Sequence, residues 1–219
     1  MQDVNEGYSF WGNLKNKYLH GLLLQTFLEY TWDLNIVYMP FYWVLEKNDP
    51  RALASLEAEM KDYTFQAFGP EEMQIIGGIK GRSRFKKEKH LCKLLNEGKK
   101  CFGIKYKGDI AAFSWVSYDG CTLETYRPAM NDQEVYLFDM FTLPAFRGTK
   151  VAPYLRYCIY RTVSAEGRDK FYSVTDKFNK SAIRFKKNIN AHNIKKVTYI
   201  RFFNYVYCRE VDVPLNSSN

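Results

Sequence analysis

Histidine and cysteine, the residues that most often mark metal and disulfide chemistry, are few and scattered in this sequence of 219 residues. The three histidines lie far apart, at His20, His90 and His192, which argues against a histidine-based metal site. The five cysteines are an odd number and none forms a C-x-x-C pair, so we expect neither a zinc site nor a disulfide framework. Reduced thiols in a cytoplasmic protein are the simplest interpretation.

Long hydrophobic runs are also missing. The longest, Ile36 to Leu45, is interrupted by Pro40 and is far shorter than the ~20 residues that a membrane-spanning helix needs. The first residues, Met1 to Glu6, contain no basic region ahead of an apolar stretch, so we expect no signal peptide.

The composition is that of a foldable protein with a basic surface. Hydrophobic residues make up 46% of the chain, which excludes a largely disordered protein. The 32 Lys and Arg exceed the 24 Asp and Glu by eight, and aromatic residues reach 17%. Such a surface suits nucleic acid, an anionic membrane, an acidic carrier protein or a phosphorylated cofactor. The chain shows no helix-turn-helix signature and no aromatic-rich RNA-binding motif, so nucleic acid is the least favoured of these.

Hydrophobic periodicity predicts the order β-α-α-β-β-β-α-β-α-β, a mixed α/β sheet preceded by a helical extension. An amphipathic helix is predicted over residues 13–33, and Pro40 predicts that the following strand is bulged or at an edge. We expect an N-terminal extension over 1–35, one domain over 36–213 and a disordered tail over 214–219. The predicted core elements are a helix from Asp49-Pro50 through Tyr63, a helix capped by Ser83 and ending near Asn96, strands over 101–106, 110–118, 134–142 and 171–175, helices from Gly148 to about Ala165 and from Asn179 or Ser181, and one or two strands over 197–207.

One segment carries a chemical signal. The strand that begins at Glu134 is stopped by Pro144, an Arg147-Gly148 turn follows, and an amphipathic helix begins at once. Such a turn directs backbone N–H groups outward at a helix N-terminus, an arrangement that binds anions such as a pyrophosphate. Arg147 and Lys150 add positive charge. A second basic run, Lys80 to Lys89, reads as a solvated helix face or as an anion-binding patch.

The segment Arg147-Gly-Thr-Lys-Val-Ala152, preceded by Thr142-Leu-Pro144, resembles the acyl-CoA motif of the GCN5-related N-acetyltransferase (GNAT) superfamily, Arg/Gln-x-x-Gly-x-Gly/Ala after a strand. Downstream, the stretch that begins at Asn179 resembles the Asn-x-x-Ala/Ser start of another helix of that family. The resemblance covers most of the chain from about Ile36 to Tyr207. It implies a mixed, mostly antiparallel central sheet flanked by helices.

The resemblance also implies an acyltransferase that moves an acyl group, such as acetyl from acetyl-CoA, to an amine-bearing small molecule without a covalent enzyme intermediate. Acyl-CoA would lie where the motif strand and the next strand splay apart. Backbone groups of the motif strand would hold the pantetheine and polarise the thioester, and amides of the turn would hold the pyrophosphate. Asn179 would contact the pantetheine arm. The implied cofactor-binding residues are Phe141, Thr142, Leu143, Arg147, Gly148, Thr149, Lys150, Val151, Ala152 and Asn179.

The sequence departs from the family pattern at catalytic positions. Lys150 stands where the family usually has its central Gly, and Lys186 where it often has a Tyr that protonates the leaving thiolate. Tyr172 is an alternative acid. For the general base we favour Asp139 over Glu134 and Glu124, because from its place in the motif strand Asp139 would face the cleft. Cys158 is expected to be a core residue rather than a nucleophile.

Several alternatives stay open. A non-catalytic module of the same fold would bind acyl-CoA or another polyanion, and an acidic acyl carrier protein would replace CoA as donor, docking on Lys80 to Lys89. The N-terminal helix would support peripheral membrane contact or a homodimer.

Overall fold

The computed structural model describes Thr31 and residues 34–79, 88–121, 128 and 130–214. The predicted N-terminal helix, the Ser83 cap, Lys80 to Lys87 and Glu124 therefore lie outside the described residues, as do residues 215–219 of the predicted tail. Within the described ranges, no helix is long and apolar enough to span a membrane.

The chain forms eight strands and five α-helices over these residues. In chain order they are β1 (Ile36–Glu46), α1 (Pro50–Glu59), β2 (Tyr63–Phe68), α2 (Pro70–Gly77), α3 (Glu88–Asn96), β3 (Lys100–Tyr106), β4 (Asp109–Ser117), β5 (Glu134–Thr142), α4 (Val151–Ala165), β6 (Lys170–Asp176), α5 (Lys180–Asn188), β7 (His192–Phe202) and β8 (Tyr205–Asp212), with a short 3₁₀ turn at Pro144–Phe146.

The described residues fall into two compact units. Of the described residues, the larger contains Glu46–Gly78 and those from Glu88 to Ser173, and its strand order is β2-β3-β4-β5-β6. The smaller contains β1 up to Leu45 and the chain from Val174 onward, with the order β6-β1-β7-β8. The registered strand pairs are antiparallel, except for the parallel pair of β5 and β6. The prediction of a mixed, mostly antiparallel sheet with helices is confirmed.

Local sequence explains where the helices begin. Asp49 caps α1, since its Oδ1 accepts the N–H groups of Arg51 at 3.0 Å and Ala52 at 3.2 Å, and Pro50 occupies the first helical position. In α2 the Glu72 carboxylate accepts the N–H of Gly69 at 2.8 Å. Asn179 caps α5 through Oδ1, which accepts the Ala182 N–H at 2.9 Å.

One sequence prediction about these elements is wrong. The helix predicted to run through Tyr63 ends at Glu59, because Met60 leaves helical geometry and Tyr63 opens β2. The prediction from Pro40 is confirmed in one of its two alternatives: β1 is not at an edge, since it lies between β6 and β7, but it contains a register shift between Trp43 and Val44.

The core of the larger unit forms around α4 and β4. The predicted apolar face of α4 is fully buried at Val151, Leu155, Ile159 and Val163. Cys158 is buried too, as predicted, and burial raises the pKa of its thiol to about 11, so the thiol is protonated at neutral pH. β4 is buried over all but its first residue, which fixes the strand against which β5 is aligned.

Candidate active site

The motif strand β5 is interrupted by a bulge. Against β4 its register runs Phe138 to Trp115 and Phe141 to Phe113, so two residues of β5, Asp139 and Met140, stand against one of β4. Asp139 has a φ of +46°, which Asp tolerates better than most residues. A bulge of this kind takes backbone groups out of the ladder and directs them elsewhere.

The bulge coincides with the end of the pairing between β5 and β6. The registered parallel pairs run from Glu134 and Lys170 to Leu137 and Ser173. The following residues of β5, from Phe138 to Thr142, are half-buried, whereas Val135 to Leu137 are buried. The strand therefore changes from a packed to a more accessible segment at the bulge.

Beyond β5 the chain makes the tight turn that the motif predicts. Gly148 has a φ of +77°, and Val151 opens α4 after the N-cap Lys150. The Thr149 hydroxyl donates to the Phe146 carbonyl at 2.6 Å and accepts the Val151 N–H at 3.3 Å. Within the described chain, the backbone N–H groups of Gly148, Thr149, Lys150 and Ala152 make no backbone hydrogen bond. Four donors at a helix N-terminus thus remain for an anion.

The two cations of the turn are placed differently. Arg147 is exposed, its Nε donates to the Thr142 carbonyl at 3.2 Å, and its guanidinium lies 5.5 Å from the centre of the Phe141 ring. Arg147 is therefore tied to the end of β5. Lys150 instead pairs with Glu59 of α1, Nζ to Oε1, at 2.6 Å. Its ammonium is directed towards α1 rather than held over the amides of the turn.

The end of β5 also uses some of its own backbone groups. The Leu143 N–H donates to the Ala111 carbonyl at 2.9 Å, and the Thr142 carbonyl accepts from Arg147. The resemblance assigns Phe141, Thr142 and Leu143 to the pantetheine. Of these, Leu143 already uses its N–H in a hydrogen bond to Ala111, so only its carbonyl remains for the ligand.

A buried charged cluster lies behind the bulge, and sequence reasoning missed it. Arg156 of α4 is 2% exposed; its NH2 donates to the Met140 sulfur at 3.2 Å, and its Nε lies 3.4 Å from Glu46 Oε2. Tyr160 donates its hydroxyl to the same Glu46 oxygen. Glu46 is 1% exposed, and burial beside it raises the pKa of Tyr160 well above its ordinary value. The only sequence signal was a charged residue one position after the core residue Leu155.

The candidate base and one candidate acid lie on the motif strand and its neighbour. Asp139 occupies the bulge itself. Tyr172, opposite Tyr136, donates its hydroxyl to Glu134 Oε1 at 3.3 Å, at the start of β5 rather than at the bulge. Burial, together with the Glu134 charge, raises the pKa of Tyr172. The hydroxyl is therefore protonated at neutral pH and acts as a donor, not a base.

The other candidate residues belong to the smaller unit. Asn179 uses its side-chain oxygen to cap α5. Lys186, in the same helix, is 7% exposed and its Nζ lies 5.6 Å from the centre of the Phe185 ring. Asn179 therefore stands at the start of α5, where the sequence predicts a helix to begin, and Lys186 is buried within that helix.

A cavity of about 180 Å³ lies away from the motif, between α1 and the middle of α4. Its lining residues are Asn48, Pro50, Leu53, Ala54, Glu57 and Arg161. None of them belongs to the bulge or to the turn.

Comparison with known proteins bears on the fold. No protein-family model matches the sequence, and no curated protein does. An acetyltransferase of the GNAT family from Colwellia psychrerythraea aligns with a TM-score of 0.53 and 13% identity, over 80% of this chain and 62% of that one. A GNAT-family protein from Novosphingobium aromaticivorans aligns with a TM-score of 0.51 and 15% identity, over 76% of this chain and 65% of that one. The chain thus spans less than two thirds of either relative.

These likenesses show that the chain has the fold of these GNAT-family proteins, which is the fold that the resemblance in the motif implies. An aminoglycoside N-acetyltransferase in complex with CoA, AAC(6')-Iy, aligns less well, with a TM-score of 0.47 and 16% identity over 58% of this chain and 86% of that one.

Proposed function

We propose that this protein is an acyl-CoA-dependent N-acyltransferase that transfers an acetyl or similar acyl group to an amine-bearing small molecule. The observation that carries the proposal is the sequence of features along one stretch of chain. A bulge at Asp139 and Met140 is followed, eight to twelve residues after Met140, by four N–H groups, at Gly148, Thr149, Lys150 and Ala152, that make no backbone hydrogen bond. The first feature suits a thioester carbonyl and the second a pyrophosphate.

In this proposal the turn binds the phosphates and Arg147 adds a charge-assisted contact. Lys150 contributes less, because Glu59 already holds its ammonium at 2.6 Å. Backbone groups of Phe141 and Thr142, and the carbonyl of Leu143, hold the pantetheine, with Asn179 as a further contact. Backbone N–H groups of the bulged segment of β5 polarise the thioester carbonyl.

Asp139 accepts a proton from the acceptor amine, whose nitrogen then attacks the thioester carbon. A C–N bond forms, the C–S bond breaks, and the thiolate of CoA takes up a proton. Lys186 or Tyr172 supplies that proton. Tyr172 has the protonation state for the task, while its hydroxyl is directed to Glu134 at the other end of the strand.

Titration calorimetry with acetyl-CoA tests the binding half of the proposal. We expect the wild type to bind and Arg147→Gln to weaken binding at least about tenfold, since a charge-assisted contact is worth about 1.5–3 kcal/mol. Lys170→Gln is the matched control, because Lys170 is an exposed cation at the opposite end of the β5–β6 pair. A wild type that does not bind acetyl-CoA contradicts the proposal.

Release of free CoA thiol, measured with a panel of amines, tests the chemical half. We expect turnover with at least one amine and a loss of about 10²-fold or more in Asp139→Asn, the usual contribution of a positioned base. Binding without turnover for any amine would instead favour the non-catalytic module. Turnover with an acyl carrier protein but not with CoA would favour the carrier as donor.

A further inference from the structure

The last strand of the smaller unit is unusually exposed. In the described chain β8 has one neighbour, β7, and all eight of its residues are exposed. The exposed fractions reach 81% for Tyr205, 60% for Val206 and 54% for Tyr207. Both faces of β8 and its free edge are therefore open to solvent.

The exposed apolar surface extends from β8 across its neighbours. Tyr207 is in register with Ile200 of β7, and Ile200 with Tyr38 of β1, so the three side chains form one row on one face. The next row on that face contains Phe202 and Tyr205, again in register. All five are exposed: Tyr38, Ile200, Phe202, Tyr205 and Tyr207. A contiguous patch of this kind marks an interaction surface.

The free edge of β8 lacks the features that keep edge strands apart. It contains no Pro and no Lys, and Tyr205 to Cys208 are uncharged residues of high β propensity. Its charges are confined to Arg209, Glu210 and Asp212. Such an edge is suited to accept another strand.

We propose that β8 pairs antiparallel with β8 of a second copy of this chain about a two-fold axis, extending the sheet across the dimer. A two-fold axis perpendicular to the sheet leaves each side chain on the same face of the sheet in both copies. Directly opposite residues of an antiparallel pair also point to the same face. Both conditions are met only if the axis passes at a residue, which then lies opposite its own copy, and not between two residues. Axes at Cys208 and at Arg209 each pair seven residues of the strand. An axis at Arg209 would place that Arg opposite its own copy.

The charge pattern therefore selects the axis at Cys208. Tyr207 then lies opposite Arg209 of the second copy, and the reverse, which gives two cation–π contacts. Tyr205 lies opposite Val211, Val206 opposite Glu210, and Cys208 opposite its own copy. No like charges are directly opposed in this register. Across the axis, the exposed row of Tyr38, Ile200 and Tyr207 meets the row of Arg209, Thr198 and Pro40 of the second copy.

Sedimentation of the full chain over a range of concentrations tests the proposal. We expect a wild-type dimer. Cys208→Asp would place two carboxylates opposite one another, and we expect it to weaken association about a hundredfold, since opposed like charges cost several kcal/mol. Cys208→Ser should stay dimeric. Thr64→Asp is the matched control, because Thr64 is exposed on β2, the edge strand of the larger unit.

Circular dichroism and thermal melting establish that each variant is folded. A short bis-maleimide should also join two wild-type chains through Cys208 and fail with Cys208→Ser. A wild type that stays monomeric overturns the proposal, and so does a dimer that Cys208→Asp leaves intact. A monomer that co-sediments with anionic vesicles would identify the patch as a lipid-binding surface and would overturn it too. None of these outcomes depends on acyl-CoA binding.

Discussion

The two ends of β5 belong to one strand of nine residues but are built for different tasks. At its start, Val135 to Leu137 are buried and paired with β6, and Tyr136 and Leu137 are paired with β4 as well. The Arg168 guanidinium donates to the Glu134 carbonyl at 2.8 Å and lies 4.8 Å from the Tyr118 ring, while Glu166 accepts from Tyr118 and Lys100. Side chains thus bond the Glu134 carbonyl and the Tyr118 hydroxyl at this end.

At its end the same strand is bulged and leads to a turn with unbonded N–H groups. There the buried cluster of Arg156, Glu46 and Tyr160 contacts the strand through Met140, while the residues from Phe138 to Thr142 are only half-buried. One strand therefore has a structural part and a candidate functional part. Regular pairing holds its start in the sheet, and the buried charged cluster supports the bulged segment at Asp139 and Met140, where regular pairing ends.

Removal of the buried cation should have the largest effect. Arg156→Met leaves the Glu46 carboxylate uncompensated in the core and removes the donor to Met140. We expect a loss of about 3–5 kcal/mol in the free energy of unfolding, measured by urea denaturation. Arg161→Met, in the same helix, breaks an exposed pair with Glu57 and should cost less than about 1 kcal/mol. Equal costs for the two variants would show that the cluster does not support the bulge.

Two glycines distinguish backbone strain from ligand binding at the turn after β5. Gly148 and Gly167 both have positive φ, +77° and +85°, and an added Cβ would meet no atom within 4 Å at either. Replacement by Ala should cost each about 1–2 kcal/mol of stability, because only the backbone conformation is strained. If the turn binds pyrophosphate, Gly148→Ala should also weaken acetyl-CoA binding in calorimetry, whereas Gly167→Ala should not. Equal affinities in the two variants would place the ligand elsewhere.

The Lys150–Glu59 pair offers a smaller effect with the opposite sign. Glu59→Gln releases the Lys150 ammonium beside the turn, so acetyl-CoA affinity should rise by about two- to threefold, equivalent to less than ~1 kcal/mol. Glu57→Gln is the control, since Glu57 pairs with Arg161 instead. An unchanged affinity in Glu59→Gln would mean that Lys150 has no access to the phosphates.

The smallest expected effect is the pH dependence of stability that Glu166 contributes near the start of β5. Partial burial opposes ionisation of Glu166, but its bonds to Lys100 and Tyr118 prevail and lower its pKa. The stabilisation is therefore present above the ordinary pKa near 4.5 and is lost as pH falls through the lower pKa of the folded state. Between pH 7 and pH 3, Glu166→Gln should lose less unfolding free energy than the wild type, by less than about 1 kcal/mol because the pair is exposed. Parallel pH curves would contradict this.

Much of the candidate site could be predicted from local pattern. The strand, the Arg147-Gly148 turn and the helix from Val151 follow from apolar periodicity, Pro144 and glycine, which act within a few residues. The buried face of α4 was predicted correctly as well, because its apolar residues recur at helical spacing. Tyr63 was misread because its spacing continues the apolar face of α1, whereas pairing with Tyr106 places it in β2. Propensity is a weak guide where a long-range partner exists.

By itself, the sequence determined the elements of the motif, the fold family they resemble and the caps that start α1 and α5, because these depend on neighbours along the chain. Only the tertiary structure decided the bulge at Asp139, the burial of Arg156 beside Glu46 and the capture of Lys150 by Glu59, partners 110 and 91 positions apart. Strand register and ion pairing at such separations are set by which surfaces pack together. The excess of basic residues therefore acquired different local roles: Arg156 compensates a buried acid, Lys150 is held by an exposed one, and Arg147 stays exposed at the turn.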